Sequence, residues 1–171
     1  MEKKKDTTFE YLIYILLIFA VILIRTFVVT PVRVNGSSMF PTLHDGEIML
    51  LNKFTYRFND IKRFDIVVVK TDEDKIIKRV IGLPGENINL ENNLLYVDGQ
   101  EIKQPFKHGE TMDYNIRILG YSKIPNDCYF VLGDNRNNSK DSRMIGCVKK
   151  DQIVGKASLV IYPFKNKGHR Y

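Results

Sequence analysis

Residues 65–70 read DIVVVK and residues 75–81 read KIIKRVI. These short runs of β-branched side chains suit a pleated surface far better than a helix. The same grammar extends outward in both directions: Glu47–Asn52 (EIMLLN), Leu94–Val97 (LLYV), Cys128–Leu132 (CYFVL), Cys147–Val148 and Ala157–Tyr162 (ASLVIY) all read as strands. Turn pairs such as Asp45-Gly46, Pro84-Gly85 and Asp98-Gly99 punctuate them. No amphipathic helix interrupts the series, and the polar stretch 101–124 reads as a loop or small excursion. The pattern predicts a mainly β fold, a single compact domain of barrel-like or sandwiched strands.

The strands begin only after a different kind of sequence. Lys3, Lys4 and Lys5 precede Tyr11–Ile24, YLIYILLIFAVILI, which holds no charge. Up to Val32 the only charge is Arg25, placed to snorkel toward headgroups. The window covers about the 20 residues a bilayer requires. Tyr11 and Tyr14 suit an interface, and Pro31 suits a helix end. A cleaved signal peptide would want small residues after the apolar run, where Arg25, Thr26, Phe27, Val28 and Val29 stand instead. A buried core helix is the other alternative. The expected organisation is a cytoplasmic tail at 1–8, one transmembrane helix at 9–31 and a domain at 32–171. The lysines hold the N-terminus in the cytoplasm, so that domain lies on the outer face of the cell membrane.

A net charge of +6 on 171 residues points to an acidic neighbour such as an anionic membrane surface. Nucleic acid is not expected, because the basic residues are dispersed and no helix-turn-helix or zinc spacing occurs. Three His and two Cys without a cluster argue against a metal site. Cys128 and Cys147 each sit in a short apolar run and read first as small buried hydrophobes. A bridge between them is the alternative if the domain lies outside the cell.

Three segments could carry chemistry. In Asn35-Gly36-Ser37-Ser38-Met39-Phe40-Pro41, a flexible glycine and a stiff proline bracket two serines on an exposed bend. In Ile76-Ile77-Lys78-Arg79-Val80-Ile81, strand alternation puts Lys78 with Ile76 and Val80, and Arg79 with Ile77 and Ile81. One basic residue then enters apolar company whichever face is buried, and only lysine can respond by losing its proton. Bringing its pKa near 7–8 needs roughly 3–5 kcal/mol. The third segment, Gly133-Asp134-Asn135-Arg136-Asn137-Asn138-Ser139-Lys140-Asp141-Ser142-Arg143, is an intensely polar loop after an apolar strand, suited to an ion-pair scaffold or to a solvated loop tip.

With the apolar N-terminal run, the stretches GSSMFPTL, FDIVVVK, KRVIGLPGE and GDNRNNSKDSR resemble the type I signal peptidases, membrane serine proteases with a Ser/Lys dyad. The small outer part looks most like the Gram-positive-type members. The resemblance implies the coiled β fold of that family and no cofactor. It implies an endopeptidase that removes signal peptides from exported preproteins through an acyl-enzyme. Its partners would be preprotein signal peptides, the lipid bilayer and the secretion translocon. It makes Ser38 the nucleophile and Lys78 the general base, with Ser139 orienting the amine, Asp141 paired with Arg143, and Asp134 with Arg79. Gly36, Ser37, Met39 and Pro41 would line the substrate and oxyanion region, the Ser38 N–H serving as oxyanion donor. Gly36 stands where Gram-negative members carry a serine as second donor, so that donor is unassigned. Phe64-Asp65 stands where the family commonly has Gly-Asp. A self-cleaving repressor, with related chemistry but a DNA-binding domain, and a catalytically silent tethered module are the competing readings.

Overall fold

The computed structural model describes residues 7–27 and 29–163. Helix α1 (Thr7–Phe27) leads into strand β1 (Val29–Arg33), followed by β2 (Ile48–Asn52), the one-turn α2 (Thr55–Phe58), β3 (Ile66–Lys70), β4 (Lys75–Gly82), β5 (Ile88–Glu91), β6 (Leu94–Val97), β7 (Gln100–Ile102), β8 (Tyr114–Asn115), β9 (Cys128–Leu132), the one-turn α3 (Ser142–Ile145), β10 (Val148–Lys149) and β11 (Ile153–Tyr162). Seven strands form one sheet in the order β1-β2-β11-β3-β4-β9-β10, and four form a second in the order β7-β6-β5-β8. The strand pairs are antiparallel. Register shifts along the ten-residue β11 let it pair with β2 at one end and β3 at the other, as bulges bend a strand and re-aim it.

The expected mainly β domain is therefore present, and the quoted segments lie at its centre. Ile66, Val67, Val68 and Val69 of β3 are all fully buried. Ile66 and Val68 join Met39, Leu43, Met49 and Val160 in one core cluster, while Val67 and Val69 join Val80 and Val131 in another. A strand covered on both faces needs a continuous apolar run, which is why DIVVVK does not alternate. Each such side chain contributes about 2 kcal/mol by leaving water. β4 is covered in the same way, so both Lys78 and Arg79 are buried, at 3% and 4% exposure. The expectation that burial would select one of the two is corrected.

Other expectations shift. Pro31 lies within β1 rather than at a helix end, because residues 29–33 pair with β2 from Val29↔Asn52 to Arg33↔Ile48. The excursion 101–124 holds β8 and a 3₁₀ turn at Ile116–Leu119, with Ile116 and Ile124 buried against the small sheet. β5 was not anticipated, since INLE has only two apolar residues; both are buried. Cys128 and Cys147 are joined in a disulfide with Cα atoms 5.6 Å apart, which corrects the reading of two free thiols. The β9–β10 pairing sets Lys149 opposite Cys128 and so brings Cys147 within reach.

In α1 the apolar side chains described from Phe9 to Leu23, apart from Ala20, are 40–67% exposed, on every face of the helix. Among the described residues no helix is long and apolar enough to cross a membrane. Lys3, Lys4, Lys5 and the side chain of Arg25, on which the orientation and snorkelling expectations rest, lie outside the described residues.

Candidate active site

Ser38 sits on the link between β1 and β2. Gly36 turns the chain with φ +83°, the left-handed region that favours glycine, and its N–H donates to Asp45 Oδ1 at 2.7 Å. That amide is committed to the turn, so Gly36 does not supply the second oxyanion donor. Beyond the serines the Phe40 N–H donates to Ser37 O (3.0 Å) and the Leu43 N–H to Met39 O (2.9 Å). Met39 and Leu43 are fully buried in the core. They act as plugs that hold the bend down, while Ser37 stays exposed and Ser38 and Pro41 half-buried above them.

Lys78, forty positions later, reaches this bend from β4. Its Nζ is 2.8 Å from Ser38 Oγ and donates to Ile77 O at 3.0 Å. Burial lowers its pKa from the ordinary lysine range to about 8, against an opposing pull from the Asp141 and Asp134 carboxylates. The lowering has a plain cause: the ammonium loses water and gains no carboxylate in direct contact. A neutral amine keeps the bond to Ile77 O and accepts the Ser38 proton through the same 2.8 Å contact, which is the geometry of a general base on a nucleophile.

Arg79, pointing the other way from the same strand, is treated differently. Its Nε and Nη2 bond both oxygens of Asp134 at 2.9 and 2.6 Å. Nη1 donates to Phe64 O (3.0 Å), Nη2 also reaches Thr42 Oγ1 (3.3 Å), and Phe106 covers the guanidinium at 3.9 Å. A buried arginine stays charged and needs such a fork of acceptors. The expected Arg79–Asp134 pair is therefore formed, and it ties β4 to the loop after β9. Asp141 and Arg143 also pair, Nε–Oδ1 and Nη2–Oδ2 each at 2.8 Å, and Asp141 Oδ2 accepts from the Gly133 N–H at 3.0 Å.

Ser139 departs from expectation. Its Oγ is buried and makes no hydrogen bond among the described residues. It lies where a Cβ on Gly133 would fall; the same Cβ would come 2.5 Å from Ser38 O. Gly133 is thus required by the close approach of the polar loop to the nucleophile bend. Ser139 flanks that approach without a hydrogen bond to the Lys78 amine, whose contacts are Ser38 Oγ and Ile77 O.

Several residues of the site were not singled out from the sequence. Arg136 is 1% exposed and gives hydrogen bonds to Gly133 O, Thr111 Oγ1 and Gln104 Oε1; burial pushes its pKa down to about 10. Asn135 and Asn138 bond the Ser37–Ser38 bend. Thr42 donates to Asp134. A polar loop ordinarily exposes such side chains, and no local pattern marks Arg136 as buried or names the partners of the others. Among the described residues no group of His, Cys, Asp and Glu could hold a metal ion.

Residues 7–162 match the family model described as "Signal peptidase, peptidase S26". The chain is 39% identical over 174 residues to signal peptidase I of Bacillus amyloliquefaciens, covering 96% of this chain and 90% of that one. It is 38% identical over 173 residues to signal peptidase I T of Bacillus subtilis, covering 95% and 90%. The crystal structure of a signal peptidase I from Enterococcus faecalis superposes with a TM-score of 0.54 at 30% identity, over 58% of this chain and 98% of that one. With a bend, a buried lysine and a polar loop meeting on one mainly β domain, and with relatives matching along nearly its whole length, the chain belongs to the signal peptidase family, peptidase S26.

Proposed function

We propose that this protein is a signal peptidase I that cuts exported preproteins by a Ser38/Lys78 dyad. The observation that carries the reading is the 2.8 Å contact between Ser38 Oγ and a buried Lys78 Nζ. Neutral Lys78 removes the Ser38 proton as Oγ bonds to the scissile carbonyl carbon. The carbonyl pair moves onto oxygen, where the Ser38 N–H meets it. Collapse of that intermediate expels the amine of the mature protein, which takes the proton from Lys78, and leaves the signal peptide as an ester on Ser38. Water, deprotonated by Lys78, then attacks the ester carbon, and Lys78 returns that proton to Ser38 Oγ as the signal peptide leaves with a free carboxyl end. Asp134 with Arg79 and Asp141 with Arg143 brace the loop, and their carboxylates oppose part of the burial effect on Lys78. Met39 forms the floor beneath Ser38. The cut falls after small residues at −1 and −3.

Helix α1 serves as the anchor in this reading. It is supported by apolar side chains from Phe9 to Leu23 that stand exposed on all sides of the helix among the described residues, and by the absence of charge from Tyr11 to Ile24. The catalytic domain then lies on the outer face, where enzyme and preprotein share one plane and a raised effective concentration. The signal peptide and the bilayer are its partners, with the translocon the source of substrate. Ser38→Ala and Lys78→Ala should each abolish cleavage of a preprotein while leaving the fold intact by circular dichroism. Near-normal processing by either variant would refute the dyad.

A further inference from the structure

Two asparagines that take no part in the dyad hold the nucleophile bend from behind. Asn135 Nδ2 donates to Ser37 O at 3.1 Å, and its backbone N–H donates to Ser38 O at 3.0 Å. Asn138 Nδ2 donates to Ser37 Oγ at 3.0 Å, and the Asn138 N–H donates back to Asn135 O at 2.9 Å, so both belong to one turn. The Phe40 N–H gives Ser37 O a second bond. Among the described residues nothing accepts a hydrogen bond from the Ser38 N–H.

Ser37 C=O and Ser38 N–H belong to the same peptide unit. In a trans peptide the two groups lie in one plane and point in opposite directions. Fixing the carbonyl therefore fixes where the N–H points. Donors on the carbonyl also polarise the unit and strengthen its N–H as a donor. The two bonds at Ser37 O do both, and the bond at Ser37 Oγ stops the residue from rocking about its own backbone.

We propose that Asn135, seconded by Asn138, is a positioning residue that aims the Ser38 N–H at the oxygen of the tetrahedral intermediate. The proposal rests on the Ser38/Lys78 reading. It separates the polar loop into two offices: Asp134 and Asp141 brace the loop and set the field at Lys78, while the asparagines orient the oxyanion donor. Because the neutral carbonyl of bound substrate gains little from a well-aimed donor and the oxyanion gains much, loss of aim appears in kcat and not in KM.

The test uses the full chain in detergent with a cleavable preprotein. Asn135→Ala and the near-isosteric Asn135→Asp should lower kcat about tenfold or more, with KM changed less than about twofold. Affinity for a peptide boronate that forms a tetrahedral adduct on Ser38 should fall by the same factor. Affinity for the cleaved signal peptide should stay put, as should the pH midpoint of kcat in Asn135→Ala; the new carboxylate of Asn135→Asp favours a charged Lys78 and should raise that midpoint. Asn138→Ala should have a smaller effect that disappears when Ser37→Ala is already present. Unchanged kcat in folded Asn135 variants would overturn the proposal, as would a KM or product affinity that moves with kcat, or a shifted pH midpoint in Asn135→Ala. If Asn135→Ala does not fold, the Ser37/Asn138 pair decides: an undiminished Asn138→Ala effect without the Ser37 hydroxyl overturns it. An active Ser38→Ala would defeat the dyad itself, whereas an inactive Ser38→Ala beside normal Asn135 variants defeats only the positioning role.

Discussion

Lys78 carries an amine that the fold makes costly to charge, and two consequences follow at the scale of that residue. Its pKa stands at about 8 rather than in the usual lysine range, with burial the leading cause. Below that value the proposed base is protonated, so kcat/KM should fall about tenfold per pH unit there and level off above about 8; a pH–rate profile with preprotein well below saturation measures it. The second consequence concerns stability. Between about 8 and the unfolded value near 10.5, the unfolded chain holds the extra proton, so stability rises with pH across that window. Below about 8 the cost is fully present, on the order of 3 kcal/mol. Lys78→Met should therefore raise the denaturant midpoint at pH 7, the gain shrinking as the pH approaches 10.5.

At the scale of elements, the unit from β9 to β10 supports the bend that carries Ser38 and the strand that carries Lys78. The strands pair only at Val148↔Tyr129 and Lys149↔Cys128, yet the loop between them carries Asp134, Asn135, Arg136, Asn138 and Asp141. Internal bonds compensate for the short ladder: the Gly133 N–H to Asp141, the Val131 N–H to Ser142 Oγ at 2.9 Å, and Arg143 to Arg136 O at 2.5 Å. The Cys128–Cys147 disulfide closes this loop across a separation of 19 residues. Cross-linking a loop of that length removes unfolded-state entropy worth about 3 kcal/mol. A Cys128→Ala/Cys147→Ala variant, or reduced wild type, should lose several degrees in Tm, and reductant should have no further effect on the variant. The disulfide also accords with a domain exposed to an oxidising compartment. It was one of two alternatives from sequence, since apolar surroundings alone do not say whether two distant thiols meet.

For the whole molecule the question is what covers α1. Its side chains from Phe9 to Leu23 present apolar surface on all sides, far more than isolated surface hydrophobics would explain. The domain begins directly after it, with Val29 opposite Asn52 at the end of β2. With α1 as the anchor proposed above, the protein should stay with membranes through alkaline carbonate and leave them only in detergent. Release by carbonate alone would place α1 on or off the surface rather than across it. The distance from Phe27 to Ser38 is short in sequence, so an anchored α1 would keep the nucleophile near the membrane face where preproteins emerge.

Local sequence determined the β character of the domain, the uncharged run at its start and the motifs whose resemblance to a family singled out Ser38 and Lys78. These depend on neighbours a few positions apart, where side-chain period and turn residues leave a readable trace. The tertiary structure decided everything that joins distant positions. It buried both Lys78 and Arg79, then distinguished them by partner, giving one a serine 40 positions away and the other an aspartate 55 positions away. It joined the cysteines, left Ser139 without the bond assigned to it, and set Asn135 on a carbonyl 98 positions distant. No short window encodes such contacts, because they arise only when folding brings β4, the loop after β9 and the bend after β1 together.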